Sequence, residues 1–325
     1  MEKRLKQTSG FALVITLLVV AIITAVTLHL NSAVRSHLHG AANLRDSVSL
    51  GLAAKSGVNL ALAVLFEDGR STGWDSDQET WADEKGLSTA LGEFFPSTRC
   101  ELKIMDLSGR IQINRLVDDE GRFDPMRKAV LSRLLSQEAF GLDPETVDNI
   151  VDAVKDWLDP DQDITRFGAE DGYYLSLKTP YNCRNGPLAV IEELLLIRGM
   201  TRDLFYGDSD RPGISRYLTV HGDGRININT ADMPVLMALS DDMGRSGAER
   251  LVAYRRRGEE TLEDPAWYQD VPGLGDIFIA PELICTAGTY FQIVSKTHMD
   301  RLQSRVTAVV ERGGGTIRVL SWKRN

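Results

Sequence analysis

The feature that most constrains this protein is a 20-residue apolar stretch close to its N-terminus. Residues 11–30 read FALVITLLVVAIITAVTLHL and contain no Lys, Arg, Asp or Glu. A helix of this length spans about 30 Å, the thickness of the hydrocarbon core of a bilayer. A helix buried in a soluble domain normally keeps a polar face, which this stretch almost entirely lacks. The sequence therefore predicts one membrane-spanning helix.

The flanks of the apolar stretch predict its orientation and its processing. Lys3, Arg4 and Lys6 precede it, so the positive-inside rule places the N-terminus in the cytoplasm and the bulk of the protein across the membrane. The small pair Ser9-Gly10 also precedes it, whereas the cleavage site of an ordinary signal peptide follows the apolar region. We therefore expect cleavage between Gly10 and Phe11, which removes the basic leader and leaves the helix on the mature protein.

Composition and motif content weigh against two classes of function. The formal net charge is −9, which argues against nucleic acid as a main partner because phosphate binding needs a positive surface. We find no nucleophile elbow, no phosphate-binding loop and no Ser-His-Asp order, so we do not expect an enzyme. The five histidines form no catalytic motif: His29, His37, His39, His221 and His298.

Hydrophobic periodicity predicts an α+β fold. We expect the apolar helix to continue to residue 66, with a loop and a short helix (88–94) after it. Residues 101–106 and 110–116 alternate like two strands of a hairpin that turns at Ser108-Gly109. Residues 124–286 read as mostly helical, with Pro125 and Pro144 starting two of the helices. Three strands follow at 289–295, 303–311 and 316–322, with a turn at Gly313-Gly314-Gly315.

This order predicts a long N-terminal helix and an antiparallel sheet, with a large all-α domain inserted in the sheet. We expect that inserted domain to resemble SAM or helix-hairpin-helix modules. The predicted segments are a leader (1–10), the transmembrane and extended helix (11–66), the first part of an α/β domain (67–123), the inserted domain (124–286) and the second part of the sheet (287–325).

An acidic stretch after the second predicted helix has the spacing of metal ligands. Asp159, Asp161 and Asp163 occupy positions 1, 3 and 5 of a loop whose position 12 is Glu170, which is EF-hand spacing. Position 6 is Ile164 where an EF-hand has Gly, and no exit helix is evident, so we expect a different calcium loop. Oxygen ligands without nearby His or Cys favour Ca²⁺ over Zn²⁺. The predicted ligands are Asp159, Asp161, Asp163, Glu170 and Asp171, and a solvated acidic loop is the alternative.

Two further segments have recognisable patterns: one favours a structural role at the start of a helix, and the other resembles a DNA-binding hairpin. In Asn227-Ile228-Asn229-Thr230, Asn229 or Thr230 is expected to cap a helix with Pro234 in its first turn. Residues 271–275, VPGLG, resemble the hairpin of DNA-binding helix-hairpin-helix modules, and four arginines lie upstream: Arg250, Arg255, Arg256 and Arg257. The acidic character of the domain weighs against DNA binding.

The three cysteines, Cys100, Cys183 and Cys285, fit no metal-ligand spacing. In an oxidising compartment one disulfide can form and one thiol is left over. The sequence does not decide the pairing. We expect Cys183–Cys285, because both residues lie in the predicted helical block.

The sequence resembles a known family at motifs scattered over nearly its whole length. TSG-FALVITLLVVAI resembles the prepilin-peptidase site of type IV pilins and pseudopilins. DWLDPDQD (156–163), GAEDGYYL (168–175), PLAVIEELLLIRGM (187–200) and GRININTADMPVLMAL (224–239) resemble the type II secretion minor pseudopilin K family (GspK). Most pseudopilins have Glu at mature position five. This protein has Ile15 there, and the K subunit is the member that typically lacks the Glu.

The resemblance implies a pilin-like fold, with a long N-terminal helix and an antiparallel sheet, and a function in assembly. A subunit without the position-five carboxylate cannot pair with the N-terminal ammonium of a subunit below it in the assembly order, which suits the tip of the pseudopilus. It implies an inner-membrane protein that is processed by prepilin peptidase, N-methylated at Phe11, and partnered by minor pseudopilins I and J and the inner-membrane platform. Contacts with the secretin or secreted substrates are a further expectation. Ca²⁺ in pseudopilin structures adds to the calcium hypothesis. A minor pilin of a type IV pilus or DNA-uptake system remains the alternative.

Overall fold

The computed structural model describes residues 8–257 and 262–324, so most of the predicted leader lies outside the described residues. Its α-helices are α1 (Thr8–Ser71), α2 (Glu84–Phe94), α3 (Pro125–Leu135), α4 (Pro144–Leu158), α5 (Asp171–Tyr174), α6 (Arg202–Tyr206), α7 (Met233–Ala238) and α8 (Arg245–Arg255). The strands are β1 (Arg99–Asp106), β2 (Ile111–Gln112), β3 (Leu218–Thr219), β4 (Ile226–Asn227), β5 (Ile284–Cys285), β6 (Tyr290–Met299), β7 (Leu302–Gly313) and β8 (Thr316–Arg324). Short 3₁₀ helices lie at Thr80–Ala82, Ile113–Leu116, Glu138–Phe140, Ile191–Leu196, Ile214–Tyr217, Pro265–Asp270 and Pro281–Leu283.

Helix α1 is one continuous helix of 64 residues that runs five residues beyond its predicted end at 66. Its first half is exposed, and Leu50 is the first residue of α1 that is buried against the rest of the protein. Gly57 allows the helix to approach the sheet closely: a Cβ there would overlap Ser295 Oγ and lie 2.8 Å from Leu91 Cδ2. This glycine therefore serves close packing and does not interrupt the helix.

The main sheet has four antiparallel strands in the order β1-β6-β7-β8. The three C-terminal strands confirm the sequence prediction, and Gly314 and Gly315 turn the last hairpin at φ values of 58° and 71°. Alternate residues of the sheet face α1 and form the sheet core, which joins helix residues such as Ala54 and Leu65 to strand residues such as Leu102 and Ile293.

The predicted hairpin between 101–106 and 110–116 is wrong. Strand β1 pairs antiparallel with β6 along its whole length, with Asp106 opposite Phe291. After a turn, β2 pairs in parallel with β3, and a 3₁₀ helix follows at Ile113–Leu116. Alternation of apolar and polar residues predicts that a segment is a strand, but it does not predict which other strand the segment pairs with.

A second hydrophobic cluster, the block core, extends from Ile111 to Ile284. It packs α3, α4, α7 and α8 together with several 3₁₀ helices. Two short parallel strand pairs, β2–β3 and β4–β5, belong to this part of the protein, so the expectation of an all-α block is wrong. Its core also begins at Ile111, earlier than the predicted boundary at residue 124.

The helix starts at prolines are confirmed. Asp124 and Asp143 cap α3 and α4, each with Pro as the first helical residue and with its carboxylate accepting backbone N–H groups of the first turn. Elsewhere in the stretch predicted to be mostly helical, Ile191–Leu196 is a 3₁₀ helix and Ile284–Cys285 is strand β5.

Candidate functional site

The acidic loop connects the end of α4 to the start of α5. Helix α4 buries one face in the block core and ends at Leu158, and the backbone N–H of the next residue, Asp159, still donates to the carbonyl of Lys155 at 2.9 Å. Trp157 at the end of α4 and Tyr174 in α5 meet edge to face with ring centroids 5.1 Å apart. This contact holds the two ends of the loop together.

Three of the five predicted ligands come together. Asp159, Asp161 and Glu170 each present a carboxylate oxygen to one point, with these oxygens within 4.8 Å of one another. Asp159 is completely buried and Glu170 is 2% exposed, whereas Asp161 faces solvent. Positions 1, 3 and 12 of the predicted ligand spacing therefore converge.

Several buried oxygens at this point have no hydrogen-bond partner among the described residues. They are Asp159 Oδ1, both carboxylate oxygens of Glu170, and Asn185 Oδ1. The amide nitrogen of Asn185 donates to the backbone carbonyl of Asp161, which places Asn185 beside the carboxylates. Buried polar atoms almost always have a partner, so three such acceptors on the loop and a fourth on the neighbouring turn at Asn185 indicate room for a cation.

The electrostatics of the loop point the same way. Burial raises the pKa of Glu170 to about 7, against the opposing effect of the neighbouring Cys183 thiol, and the negative charges of Asp156, Asp159 and Asp161 add to the rise. Burial also raises the pKa of Asp159, although its other oxygen, Oδ2, is paired with Lys155. A bound divalent cation would remove this excess negative charge and the cost of burying it.

Asp163 and Asp171 do not join the cluster. Asp163 is exposed, and its backbone N–H donates to Asp161 Oδ1 at 2.7 Å, which closes a local turn. The carboxylate of Asp171 accepts from the backbone N–H of Cys183 at 2.7 Å and from the side chain of Asn182 at 3.4 Å. Both residues bond within the loop in the structure and lie outside the group of converging carboxylates.

Sequence reasoning missed Asn185 and Asp156. Asn185 has a positive φ of 49° and precedes Gly186, so the Asn-Gly pair was a signal for a turn, but nothing in the sequence placed it beside residues 159–170. Asp156 is completely buried and accepts the backbone N–H of Thr165 at 3.1 Å. It fixes the middle of the loop instead of facing the cluster.

A second acidic cluster has a different character. Asp68, Asp75 and Glu79 also bring carboxylate oxygens within 4.8 Å of one another. Arg312 reaches into this group, with its guanidinium 2.7 Å from Asp68 Oδ2 and also paired with Asp75. Burial raises the pKa of Asp68 to about 6, against the opposing effect of Arg312. This cluster carries its own cation and joins α1 to the sheet.

The predicted Cys183–Cys285 disulfide is not formed, and all three cysteines are free. The thiol of Cys183 lies 3.3 Å from the carbonyl of Asp156 at the end of α4, whereas that of Cys285 lies 3.5 Å from the carbonyl of Ala287 beside β5. The two cysteines belong to the same block but to different parts of it.

The segment that resembles a DNA-binding hairpin has no second helix behind it. Residues 276–280 are not helical, and Arg250 donates to the carbonyl of Gly273 at 3.4 Å. Arg255 is buried and donates to the carbonyls of Ile228 and Ala231. Two of the four upstream arginines therefore donate hydrogen bonds to backbone carbonyls of the protein itself.

The prediction that Asn229 or Thr230 caps the following helix is wrong. Asp232 occupies the N-cap position of α7. The Asn227 side chain instead donates to Asp106 Oδ2 at 2.9 Å, and the Thr230 hydroxyl donates to the same oxygen at 2.8 Å. This motif therefore ties the block to the end of β1.

The N-terminal residues that sequence reasoning singled out lie on the exposed half of α1. Phe11 is 69% exposed and Ile15 is 44% exposed. The helix is long and apolar enough to cross a membrane, with a mean hydropathy of 2.9 in its most apolar window and none of that window buried. This agrees with single-pass anchoring.

Known proteins resemble this protein in sequence and in fold over most of its length. The type II secretion system protein K of Pseudomonas aeruginosa is 29% identical over 96% of this chain and 92% of its own length. That of Pectobacterium carotovorum is 33% identical over 46% of each sequence. One subunit in the crystal structure of the GspK-GspI-GspJ complex from enterotoxigenic Escherichia coli shares the fold, with a TM-score of 0.68, 19% identity, and coverage of 87% of this protein and 98% of its own length.

A long N-terminal helix whose second half packs on a four-stranded antiparallel sheet is a pilin-like fold, and its exposed apolar first half is compatible with a single membrane anchor. The family described as Type II secretion system (T2SS), protein K matches at residues 109–206 and again at 226–277. These two matches, together with the similarity to the Pseudomonas protein along nearly its whole length, support a minor pseudopilin role in type II secretion for this chain.

Proposed function

We propose that this subunit occupies the tip of the pseudopilus, in a complex with minor pseudopilins I and J. The observation that carries the proposal is the second core: residues 111–284 add a separate block to a pilin-like module. A block of this size does not fit along a filament of closely packed subunits, but it fits at an end. The similar structure that contains GspI and GspJ beside GspK supports the choice of partners.

The block behaves, in this proposal, as a domain inserted between β1 and β6. Within the described residues the two cores share no buried hydrophobic side chain, and both connections to the block lie at one end of the sheet, where Asp106 is opposite Phe291. An insertion is tolerated where its two ends meet in this way. The role of the block is structural and not catalytic.

Anchoring and processing follow from α1. The helix crosses the inner membrane with its N-terminus in the cytoplasm, and prepilin peptidase cuts between Gly10 and Phe11 and methylates Phe11. Ile15 leaves mature position five without a carboxylate, so this subunit needs no partner ammonium below it. The sheet and the block then lie in the periplasm, where the block can meet the secretin or secreted substrates.

The acidic loop is proposed to bind Ca²⁺ through Asp159, Asp161, Glu170 and Asn185. All four are hard oxygen donors, and three of them contribute buried acceptors that have no partner within the described residues. The ion would hold the loop that joins α4 to α5 and the 185–186 turn in one arrangement. Its function is therefore to stiffen the block, with no part in a reaction.

Co-purification tests the tip assignment. The full-length protein with an affinity tag is expressed with subunits I and J in membranes and extracted in detergent. We expect a complex with one copy of each subunit. The matched control exchanges subunits I and J for the major pseudopilin, which should not be retained in a defined ratio. Recovery of the tagged protein alone, or with the major subunit at equal yield, would overturn the tip assignment.

A further inference from the structure

A cleft of about 560 Å³ separates the two cores on the protein surface. One wall is the end of β1 with the start of α2, and the other is the 3₁₀ helix Ile214–Tyr217 with the start of α7. Lys103, Arg110 and Arg216 line it together with four carboxylates: Asp77, Glu84, Asp106 and Asp232.

The four carboxylates are all engaged within the protein. Glu84 lies 3.4 Å from Lys103, Asp77 lies 3.4 Å from Arg255, and Asp232 lies 4.0 Å from Arg216. Asp106 is buried and accepts hydrogen bonds from Ser108, Asn227 and Thr230, which form the link between the cores.

Arg110 is the exception among the cations of the cleft. It is half-buried, yet its guanidinium makes no hydrogen bond or ion pair of 4.0 Å or less with any residue in the described parts of the protein. Burial lowers the pKa of Arg110, while Asp232 and Asp106 oppose this effect from a longer distance. Neither carboxylate contacts the guanidinium, so its five N–H donors have no partner among the described residues of the cleft.

The backbone on either side of Arg110 is held in place. Its own N–H donates to the carbonyl of Leu107 at 3.2 Å. A Cβ on the preceding Gly109 would lie 2.6 Å from Thr230 Oγ1 and 3.0 Å from the backbone nitrogen of Ala231, so only glycine allows the two cores to approach here. The guanidinium therefore extends from a rigid connection between the cores.

Arg216 supplies a second cation on the opposite wall. It is exposed, sits over the ring of Tyr217 at 5.4 Å, and reaches Asp232 only at 4.0 Å. A weak exposed pair of this kind contributes little to stability, so Arg216 can exchange Asp232 for another acceptor at small cost.

We propose that this cleft binds a carboxylate of a partner protein, either an acidic side chain or the partner's C-terminal carboxylate. Arg110 is its main ligand, through two parallel N–H···O bonds, and Arg216 completes the site from the other wall. A guanidinium fork matches the geometry of a carboxylate, and the cleft is wide enough to admit the residues on either side of one. Because residues of both cores line the site, an occupant would also fix the orientation of the block on the sheet.

The test uses the full-length protein in detergent micelles, labelled with ¹⁵N at arginine Nε and observed by NMR. Three peptides are added: N-acetyl-Gly-Asp-Gly-amide, N-acetyl-Gly-Asn-Gly with a free C-terminus, and the neutral N-acetyl-Gly-Asn-Gly-amide. We expect the Arg110 and Arg216 resonances to move with one or both carboxylate peptides and to stay in place with the neutral peptide. The peptide that binds identifies the source of the carboxylate.

Variants of Arg110 distinguish a residue that binds a carboxylate from one that only offsets the charges of Asp106 and Asp232. Arg110→Gln should weaken binding at least about tenfold, or about 1.4 kcal/mol. Arg110→Lys keeps the charge balance but loses the fork; it should also weaken binding, and it serves if Arg110→Gln does not fold. Arg301→Gln, in the exposed β6–β7 turn, is the matched control and should bind as wild type. Equal shifts with the neutral peptide, no shift with any peptide, or unchanged affinity in the Arg110 variants would overturn the proposal.

Discussion

At the scale of single residues, the buried carboxylate of Glu170 makes the Ca²⁺-free protein sensitive to pH. Its pKa of about 7 in the folded protein lies above the ordinary value of 4.5. An acid with a raised pKa contributes stability below its unfolded pKa and loses that contribution as pH rises through its folded pKa. We therefore expect the Ca²⁺-free protein to lose stability between pH 4.5 and about 7.

Replacing Glu170 with Gln should remove this dependence and abolish the gain in melting temperature on adding Ca²⁺. The difference between the pH profiles should be about 1–3 kcal/mol, since one pKa unit corresponds to about 1.4 kcal/mol. Thermal unfolding with EDTA and with Ca²⁺ measures both effects. Asp163→Asn removes an exposed carboxylate of the same loop and is the control. A Ca²⁺ response that survives Glu170→Gln but disappears in Asp163→Asn would contradict the ligand assignment.

Gly168 gives a second residue-scale prediction, because it packs against the carboxylate that orders the loop. A Cβ there would overlap Asp156 Oδ2 and lie 3.0 Å from the carbonyl of Asp152. Gly168→Ala should destabilise the protein by about 1–3 kcal/mol, a typical cost of overpacking. Gly172→Ala, with no described atom within 4 Å of its Cβ, should change stability by less than about 1 kcal/mol. Urea unfolding of both variants checks this, and equal stabilities would count against the packing argument.

At the scale of elements, β4 connects the block to the sheet through Asn227. Its side chain is fully buried and donates to Asp106 Oδ2 and to the carbonyl of Asp75 at 3.2 Å. Asn227→Ala leaves two buried acceptors short of a donor and should cost about 1–3 kcal/mol. The exposed Asn182→Ala is the control. Hydrogen exchange at β1 and β4 should increase in Asn227→Ala alone, and unchanged protection there would exclude the proposed link.

The cysteines give another prediction at this scale, since Cys100 lies in β1, Cys285 in β5 and Cys183 in a loop. Alkylation of the unfolded protein without reductant should modify all three thiols, as counted by mass spectrometry. In the folded protein Cys100 and Cys183 should react slowly, because burial raises the pKa of both thiols. A mass showing only one modified cysteine would restore the disulfide expected from sequence.

At the scale of the whole molecule, the membrane helix and the two cores are separable. Residues 10–49 contain no buried residue, and the first buried position of α1 is Leu50. A truncated protein that starts at Ala33 should therefore be soluble without detergent and keep both cores. Its melting temperature should lie within a few degrees of that of the full-length protein, since no core contact is lost. Aggregation, or loss of the unfolding transition, would show that the exposed half of α1 supports the fold.

Much of the architecture was predictable because its signals lie in short windows of sequence. Residues 11–30 identify the membrane helix through composition alone, and Asp124-Pro125 and Asp143-Pro144 start two helices through local capping. Three of the five acidic residues expected in one cluster do converge, since a single loop carries them. Asp163 and Asp171 were expected in the cluster but bond elsewhere. Asn185 lies beside the cluster but was not predicted, because it comes from a later segment.

The sequence by itself determined an N-terminal helix able to span a membrane, the three C-terminal strands, two helices that start at prolines, and the position of an acidic loop. Only the tertiary structure decided that β1 pairs with β6, that Arg312 neutralises one acidic cluster while the other keeps orphaned oxygens, and that Arg110 lies between two cores without an ion-pair partner among the described residues. The physical reason is range. Propensity, capping and amphipathic spacing act between near neighbours in sequence, whereas pairing and charge compensation depend on which distant segments packing brings together.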